Sequence, residues 1–516
     1  MSPVGAPLDG TLGALVEQAG LRAPGRPFLA VPGGRIFTVG EVREAAARLA
    51  DHLSGAGLRP GDRVGIALPN GPNLVVALLA AWSAGAVAVP LNPRSKPEEL
   101  ALPLGRTAPR LLLTDARHGG AVLDEAVARA AVPAPPTPDA ADPLVLGVPD
   151  RPPGVDPALP GDAALILHTS GSTGQPKGVV LTHRNLLANA RQVVAAHRLT
   201  AADVALCVLP LFHINGLVVT LLAPLLSGGR IVVPPRFDAG RFWDWVGEHG
   251  ATWFSAVPTI LSRLLSSPAP APEALASLRF ARSASAPLPV AVMEAFETRF
   301  GVPVIESLGM SEAAGQVTTN PLPPARRKPG SVGCAFGGRV RVVDEAGRPV
   351  PAGATGEVTV SGESVFPGYL DQPEADREAL RDGWLFTGDL GRLDDDGYLF
   401  LTGRRKELIN RAGEKIAPRE VEEVLHRHGD IELACVIGVP DPVYGEEVAA
   451  FVSLRPGRRL GADAVTAFCR ERLSGFKAPK QVFFVEDFPR GPNGKLQRRG
   501  LLDVYQRLQA RERNPT

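Results

Sequence analysis

The sequence predicts an α/β protein with a large N-terminal domain of parallel-rich sheets covered by helices. A β-rich subdomain ends that domain, and a small α+β C-terminal domain follows. Three observations carry this. The 516 residues exceed what a single hydrophobic core supports, so at least two domains are expected. With 45% hydrophobic and 21% charged residues, the composition is ordinary for a chain that buries large cores. Helix-period and strand-period segments alternate in β-α-β order before the pattern turns strand-rich near residue 340, which is the signature of parallel sheets faced by helices.

Taken in order, Thr38-Val-Gly-Glu41 forms a capping box. The helix it opens places Val42, Ala46, Leu49 and Leu53 on one face and stops at Gly55 and Gly57. Residues 63–68 read as a strand, 74–82 as a buried helix and 86–91 as a second strand. Proline-rich stretches near 132–160 and 267–273 read as loops rather than boundaries. Strands are expected at 339–343 and 356–360. From about 404 the chain has its own set: a helix opened by Pro418 and ending near His428, strands at 433–439 and 448–454, a helix at 464–473 and a strand at 481–485. This last section reads as a compact α+β unit of about 110 residues.

Charge and cysteine usage exclude several function classes. The net charge is +1, so no global field favours nucleic acid or an anionic membrane. The four cysteines (Cys207, Cys334, Cys435 and Cys469) are scattered, with no Cys-x-x-Cys pair and no Cys/His cluster, which argues for inert thiols in a reducing compartment and against a zinc site. No signal or peroxisomal address is evident, and the apolar run at 217–226 is too short for a membrane span. A cytoplasmic protein, monomer or homodimer, with no nucleic-acid or membrane partner is expected.

The most informative residues are 169–178, Thr-Ser-Gly-Ser-Thr-Gly-Gln-Pro-Lys-Gly. Glycines 171, 174 and 178 let backbone approach a ligand, Thr169, Ser170, Ser172 and Thr173 offer hydroxyls, and Lys177 adds a charge. Apolar runs on both sides make this a loop between two strands, suited to a polyphosphate. It is not a Walker A loop, because Lys177 lies between Pro176 and Gly178. Taken alone, a Ser/Gly-rich surface turn is the competing reading. His213 ends a strand in Pro210-Leu-Phe-His-Ile-Asn-Gly216. Ser283-Ala-Ser-Ala-Pro287 is a run of small residues that can face a flat ring. Glu306-Ser-Leu-Gly-Met-Ser-Glu312 puts Glu312 just past a strand, where ligands gather in parallel sheets. Asp389 sits in Thr387-Gly-Asp-Leu-Gly391, read as a tight glycine turn able to offer a carboxylate to two hydroxyls. Residues 403–409 form a basic strip, and Lys495 occupies a Gly/Pro loop. Each motif separately has a structural explanation: a core histidine, a turn, a solvated charge.

Together and in this order they resemble the adenylate-forming superfamily of acyl- and aryl-CoA synthetases, nearest its 4-coumarate–CoA ligase and oxalyl-CoA synthetase branches. The resemblance runs from about residue 30 to 500. It implies domains at 1–402 and 403–516, and an AMP-forming acid–CoA ligase that alternates two poses of its mobile C-terminal domain. In the first, a carboxylic acid attacks ATP and pyrophosphate leaves; in the second, CoA takes the acyl group and AMP leaves. ATP, Mg²⁺ and CoA are the implied cofactors. Lys495, His213 and Glu312 would be catalytic, with Thr173 and Glu312 at the metal. Thr169, Ser170, Gly171, Ser172, Thr173, Gly174 and Lys177 would hold the phosphates. Ser285, Ala286, Pro287 and the run Ser307, Leu308, Gly309, Met310 and Ser311 would wall the adenine, and Asp389, Arg404 and Lys415 would meet the rest of the nucleotide. Lys406 matches the hinge, while Arg236, Ala412 and Gly413 would meet CoA. Asn215, Gly216, Trp253, Val257, Ala284, Gly309 and Gly315 would line the acyl pocket.

Three residues depart from the family pattern: His168 and Leu308 where aromatic residues are usual, and Ser311 for threonine. All touch adenylation, so a slow first step, or an enzyme that only thioesterifies a preformed acyl-AMP, is one alternative; an adenylation enzyme loading a carrier protein is another. The expected wall is small and offers no second cation, which predicts a bulky apolar or aromatic acid over oxalate.

Overall fold

The computed structural model describes residues 10–115, 127–133, 144–149, 162–170, 176–489 and 497–513. Thr38 and Glu41 exchange hydrogen bonds in a capping box, and the helix Val39–Gly55 buries Val42, Ala46, Leu49 and Leu53 as its periodicity requires. The helix Pro72–Ser83 buries every residue from Leu74 to Trp82, so it is apolar all round rather than amphipathic. Trp82 donates from Nε1 to the Ala164 carbonyl at 2.9 Å, satisfying its one polar atom inside the core.

Two large sheets form the N-terminal part. One runs, in spatial order, Gly368–Tyr369, Pro176–Thr182, Ala163–Ser170, Val87–Pro90, Arg63–Ala67, Leu111–Asp115, Leu144–Pro149 and Val127–Pro133. Its centre is parallel, and its edges are antiparallel. The other has a parallel centre built from Val304–Met310, Phe280–Ser283, Trp253–Ala256, Val204–Leu206, Arg230–Val232 and Pro27–Ala30. One continuous core, including Leu78, Leu165, Leu217, Val219 and Ile231, fills the space between the sheets. At about 1.5–3 kcal/mol for each large side chain buried, this core dominates the stability of the region.

A third, antiparallel sheet combines Arg339–Val343, Gly356–Ser361, Trp384–Leu393, Leu380–Arg381 and Leu399–Arg404. A fourth holds Ile409–Arg411, Glu414–Ile416, Ile431–Asp441, Gly445–Leu454 and Gln481–Phe484, packed on the helices Pro418–Leu425 and Ala462–Arg470 with a core of their own. The α/β class, the β-rich subdomain and the α+β end are as the sequence predicts.

Local differences have physical reasons. The apolar segment after His213 is not a plain α-helix: Asn215–Leu222 is a π-helix, continued by the α-helix Ala223–Ser227. The proline-rich stretch near 132–160 contains the strand Leu144–Pro149, paired on both sides, and Val127–Pro133, the outermost described strand of this sheet, reaches into its start; such an edge tolerates proline because one side has no neighbour that needs its missing N–H. Cys207, Cys435 and Cys469 are buried free thiols, pushed well above the ordinary range by burial. No helix among the described residues is long and apolar enough to cross a membrane.

Candidate active site

The phosphate-loop motif bridges an antiparallel pair, Ala163–Ser170 with Pro176–Thr182, in which Thr169 faces Lys177 and Ser170 faces Pro176. Both strands are buried below that point. Gly171, Ser172, Thr173 and Gly174 lie outside the described residues, as does Lys495. His168, at the base, has no hydrogen-bond partner on either ring nitrogen among the described residues. Burial, then the charge of Arg106, pushes its imidazole down to about 4, so it is neutral at pH 7.

Glu312 lies in the short 3₁₀ turn Ser311–Ala313 that follows the strand Val304–Met310. That strand is longer than its apolar start suggests, so Glu306 to Met310 belong to it rather than following it. Ser307 turns inward, with its hydroxyl 2.8 Å from Thr319 Oγ1, and so does not offer its side chain to an adenine ring. Leu308, Gly309, Met310 and Ser311 are half-buried along the exposed end. Asn189 fixes the turn from below: its amide donates to the carbonyls of Ala313 and Gln316, and its oxygen accepts from Gln316 N. Gly315, at φ +129°, packs so tightly there that a Cβ would sit 2.7 Å from Asn189 Oδ1; the absence of a side chain is set by this contact, not by room for substrate.

Tyr369, which sequence reasoning missed, donates its hydroxyl to Glu312 Oε1 at 3.0 Å. The Lys177 ammonium stands 4.5 Å from the centre of the same ring. A tyrosine 57 positions from its partner leaves no spacing signal. As a hard-oxygen donor Glu312 fits Mg²⁺, which takes one or two carboxylates and draws its remaining ligands from phosphates and water. No cluster of three His, Cys, Asp or Glu exists among the described residues.

Asp389 is 4% exposed and sits inside the strand Trp384–Leu393, not on a tight turn as the glycines suggested; Gly388, at φ +72°, bends the strand beside it. Its Oδ1 accepts from Arg404 Nε at 2.7 Å, while buried Oδ2 has no partner among the described residues. Burial raises the carboxyl despite the guanidinium. Arg404 is therefore engaged with Asp389, and Oδ2 is the open acceptor.

The run after the strand Phe280–Ser283 places Ser285 at φ +74°, a strained conformation for a residue with a Cβ, next to exposed Ala286 and Pro287. Ser285 Oγ accepts from Asn215 Nδ2 at 3.2 Å, which joins the expected adenine wall to the expected acyl pocket. His213 is half-buried at the head of the π-helix, its ring 4.5 Å from that of Phe212. Gly216 is required by packing, since a Cβ would meet the Pro210 carbonyl at 2.3 Å. Val257 and Ala284 are buried close by.

Two findings redraw this pocket. Trp253, expected in its wall, is fully buried and stacked on Phe280 at 5.5 Å, so it belongs to the core. Arg282, which the expected wall did not include, is 1% exposed and donates to Asn215 Oδ1 (3.1 Å), Ser255 Oγ (3.2 Å) and Gln316 Oε1 (3.5 Å). All of these are neutral acceptors, and its Nε has none among the described residues. Burial alone drives the guanidinium down to about 9, and its charge helps hold neighbouring His197 neutral. A charged residue within an otherwise apolar parallel strand was the signal that could have exposed it.

On the C-terminal side, Ala412 and Gly413 form a two-residue turn at φ +49° and +96° between Ile409–Arg411 and Glu414–Ile416, the geometry of a tight hairpin. Lys415 and Arg236 are exposed, and Lys406 lies in the 3₁₀ turn Arg405–Glu407. Buried Arg419, at the start of the helix Pro418–Leu425, reaches across to buried Glu306 and opposes the upward push of burial on that carboxyl, which still lies near 7.

Comparison with known proteins gives the family. The AMP-binding enzyme family matches residues 16–370, and the AMP-binding enzyme C-terminal domain matches residues 420–495. A sulfoacetate–CoA ligase of Cupriavidus necator is 44% identical, covering 96% of this chain and 97% of its own. An oxalate–CoA ligase of Arabidopsis thaliana is 40% identical, covering 95% and 97%. Among solved structures, ATP-bound MatB from Rhodopseudomonas palustris superposes with a TM-score of 0.85 at 31% identity, covering 96% and 99%. The chain thus belongs to the AMP-binding enzyme family and is an AMP-forming acid–CoA ligase that uses ATP, Mg²⁺ and CoA.

Proposed function

We propose that the acid is short and carries a second anionic group, a carboxylate or sulfonate, directed at Arg282. The observation that carries this is the guanidinium itself, buried against Asn215 with only neutral partners. An uncompensated buried charge is costly, and a substrate anion removes that cost when it binds. The expectation of a bulky apolar acid rested on a wall without a cation, a premise that Arg282 removes. Relatives that act on sulfoacetate and oxalate support the same choice.

In this proposal Lys177 and the loop before it orient the phosphates. Bound Mg²⁺, held by Glu312 and Thr173, supplies charge neutralisation. Asp389 Oδ2 accepts a ribose hydroxyl, and Arg404 keeps that carboxylate charged and aimed. Lys495 neutralises the meeting of carboxylate and α-phosphate, where two anions must approach. After a swing about Lys406, with the domain boundary at 402/403, the turn at Ala412 and Gly413 lines the path of the CoA thiol, and His213 flanks the acyl carbonyl. Catalysis is positioning plus electrostatics, without a covalent enzyme intermediate. The enzyme acts in the cytoplasm as a monomer or homodimer.

The test is a panel of acids with ATP, Mg²⁺ and CoA, reading pyrophosphate, AMP and thioester separately, on the native enzyme and on Arg282→Met. Oxalate, malonate and sulfoacetate should exceed benzoate and cinnamate at least tenfold in kcat/KM, and Arg282→Met should erase that preference. A preference for benzoate or cinnamate in the native enzyme refutes the proposal.

A further inference from the structure

Phosphate loop and metal carboxylate are far apart in sequence, yet one short segment touches both. Gly368–Tyr369 adds an antiparallel edge to Pro176–Thr182, with Gly368 opposite Val180 and Tyr369 opposite Val179, two residues from Lys177. Leu370 N donates to the Gly178 carbonyl at 2.8 Å, and Phe366 N donates to the Glu312 carbonyl at 2.8 Å. Tyr369 N is taken by Asp376 Oδ1 at 2.7 Å, and the Phe366 ring packs edge-on against the Tyr369 ring at 4.8 Å. Backbone on both sides therefore fixes the tyrosine ring, and the ring makes two charge contacts. Its face carries the Lys177 ammonium at 4.5 Å, and its hydroxyl donates to Glu312 Oε1 at 3.0 Å.

That arrangement separates two opposite charges that are both wanted elsewhere. An ammonium and a carboxylate brought together would pair and neutralise each other, removing a phosphate-binding cation and a metal-binding anion at once. A cation over a ring face is held weakly, at about 0.5–1 kcal/mol where water has access, so an arriving phosphate can draw it off. A hydroxyl bound to one carboxylate oxygen orients the group and leaves the second oxygen available.

We infer that Tyr369 is a positioning residue for adenylation: it aims Glu312 at Mg²⁺ and parks Lys177 on its ring, preventing the two from pairing before MgATP binds. The inference rests on the proposed metal role of Glu312. Equilibrium binding tests it without turnover. Native enzyme, Tyr369→Phe, Tyr369→Leu and Glu312→Gln are titrated calorimetrically with α,β-methylene-ATP over a range of Mg²⁺ concentrations, with AMP as the ligand that needs neither group. Tyr369→Phe keeps the ring and should raise the half-saturating Mg²⁺ about three- to tenfold while AMP affinity stays within twofold. Tyr369→Leu frees Lys177 and should also weaken the Mg²⁺-free analogue at least fivefold, again sparing AMP. A structural role alone would shift AMP and analogue together and lower Tm in step. Native Mg²⁺ dependence in Tyr369→Phe, or equal loss for AMP and analogue, overturns the inference. If Glu312→Gln also leaves the Mg²⁺ dependence unchanged, the metal role of Glu312 fails first; if Glu312→Gln shifts it and Tyr369→Phe does not, only the role of Tyr369 falls.

Discussion

Replacing Asp389 with asparagine separates binding from folding at one atom. In the native protein Oδ1 is taken by Arg404 and buried Oδ2 is open. The asparagine carbonyl must face Arg404, because the guanidinium only donates. The amide NH₂ is then left where Oδ2 was, and a ribose hydroxyl that needs an acceptor finds a donor. A hydrogen bond to a charged group contributes about 1.5–3 kcal/mol, so AMP should bind roughly 10- to 100-fold more weakly. Stability should barely change. The Arg404 side chain is 59% exposed, so its lost pairing costs about 1 kcal/mol at most, and a buried charge is removed in exchange. Calorimetric AMP titration and thermal melting read the two effects separately. AMP affinity within threefold of native, or a large fall in Tm with the affinity loss merely following it, refutes the reasoning.

Glu306 supplies a pH test. Its buried carboxyl sits near 7 in the fold, above the 4.5 it has when exposed, so the native state holds the proton more tightly. Stability from this group is complete below about pH 4.5 and is lost as pH rises through 7, by up to about 3 kcal/mol. Glu306→Gln should therefore melt higher than native at pH 8, with the gain shrinking toward pH 5; an equal shift at both pH values contradicts this. Lys495→Ala should lower pyrophosphate release at least 100-fold and leave thioesterification of a synthetic acyl-AMP within threefold; parallel loss of both half-reactions argues against its assigned step. Trp253→Phe should cost about 1–2 kcal/mol of stability with acid KM changed less than twofold; a large specificity change would return Trp253 to the pocket.

The fold was legible because its signals are local. The capping box at Thr38, the nine-residue buried run in Pro72–Ser83 and the continuous apolar run in Gly445–Leu454 each follow from neighbours along the chain. Candidate residues such as Glu312 and Asp389 could be picked out because glycines and short motifs mark them. What escaped depends on contacts between distant segments. Arg282 reads as one charge in a short strand until Asn215, Ser255 and Gln316 are seen to surround it with neutral oxygens. Tyr369 gains meaning only when its strand lies beside Lys177. The burial of Trp253 was equally hidden, because a small-residue wall and a packed core look alike in one dimension until the stacking on Phe280 is seen.

The π-helix Asn215–Leu222 has a consequence for the phase of the chain. Its closing bond runs from Ala223 N to Val218 O, five residues back rather than four. Each residue of an α-helix turns the chain by about 100°, so the widened turn absorbs one residue that a regular helix would have to express as rotation. Upstream, Asn215 stays turned toward Arg282; downstream, Leu217 to Leu225 stay turned into the core. Deleting a single residue here would leave the apolar composition intact and even restore regular helical bonding, yet it would force one of those two faces out of step. The segment can exchange side chains of similar size, but its length is fixed to the residue.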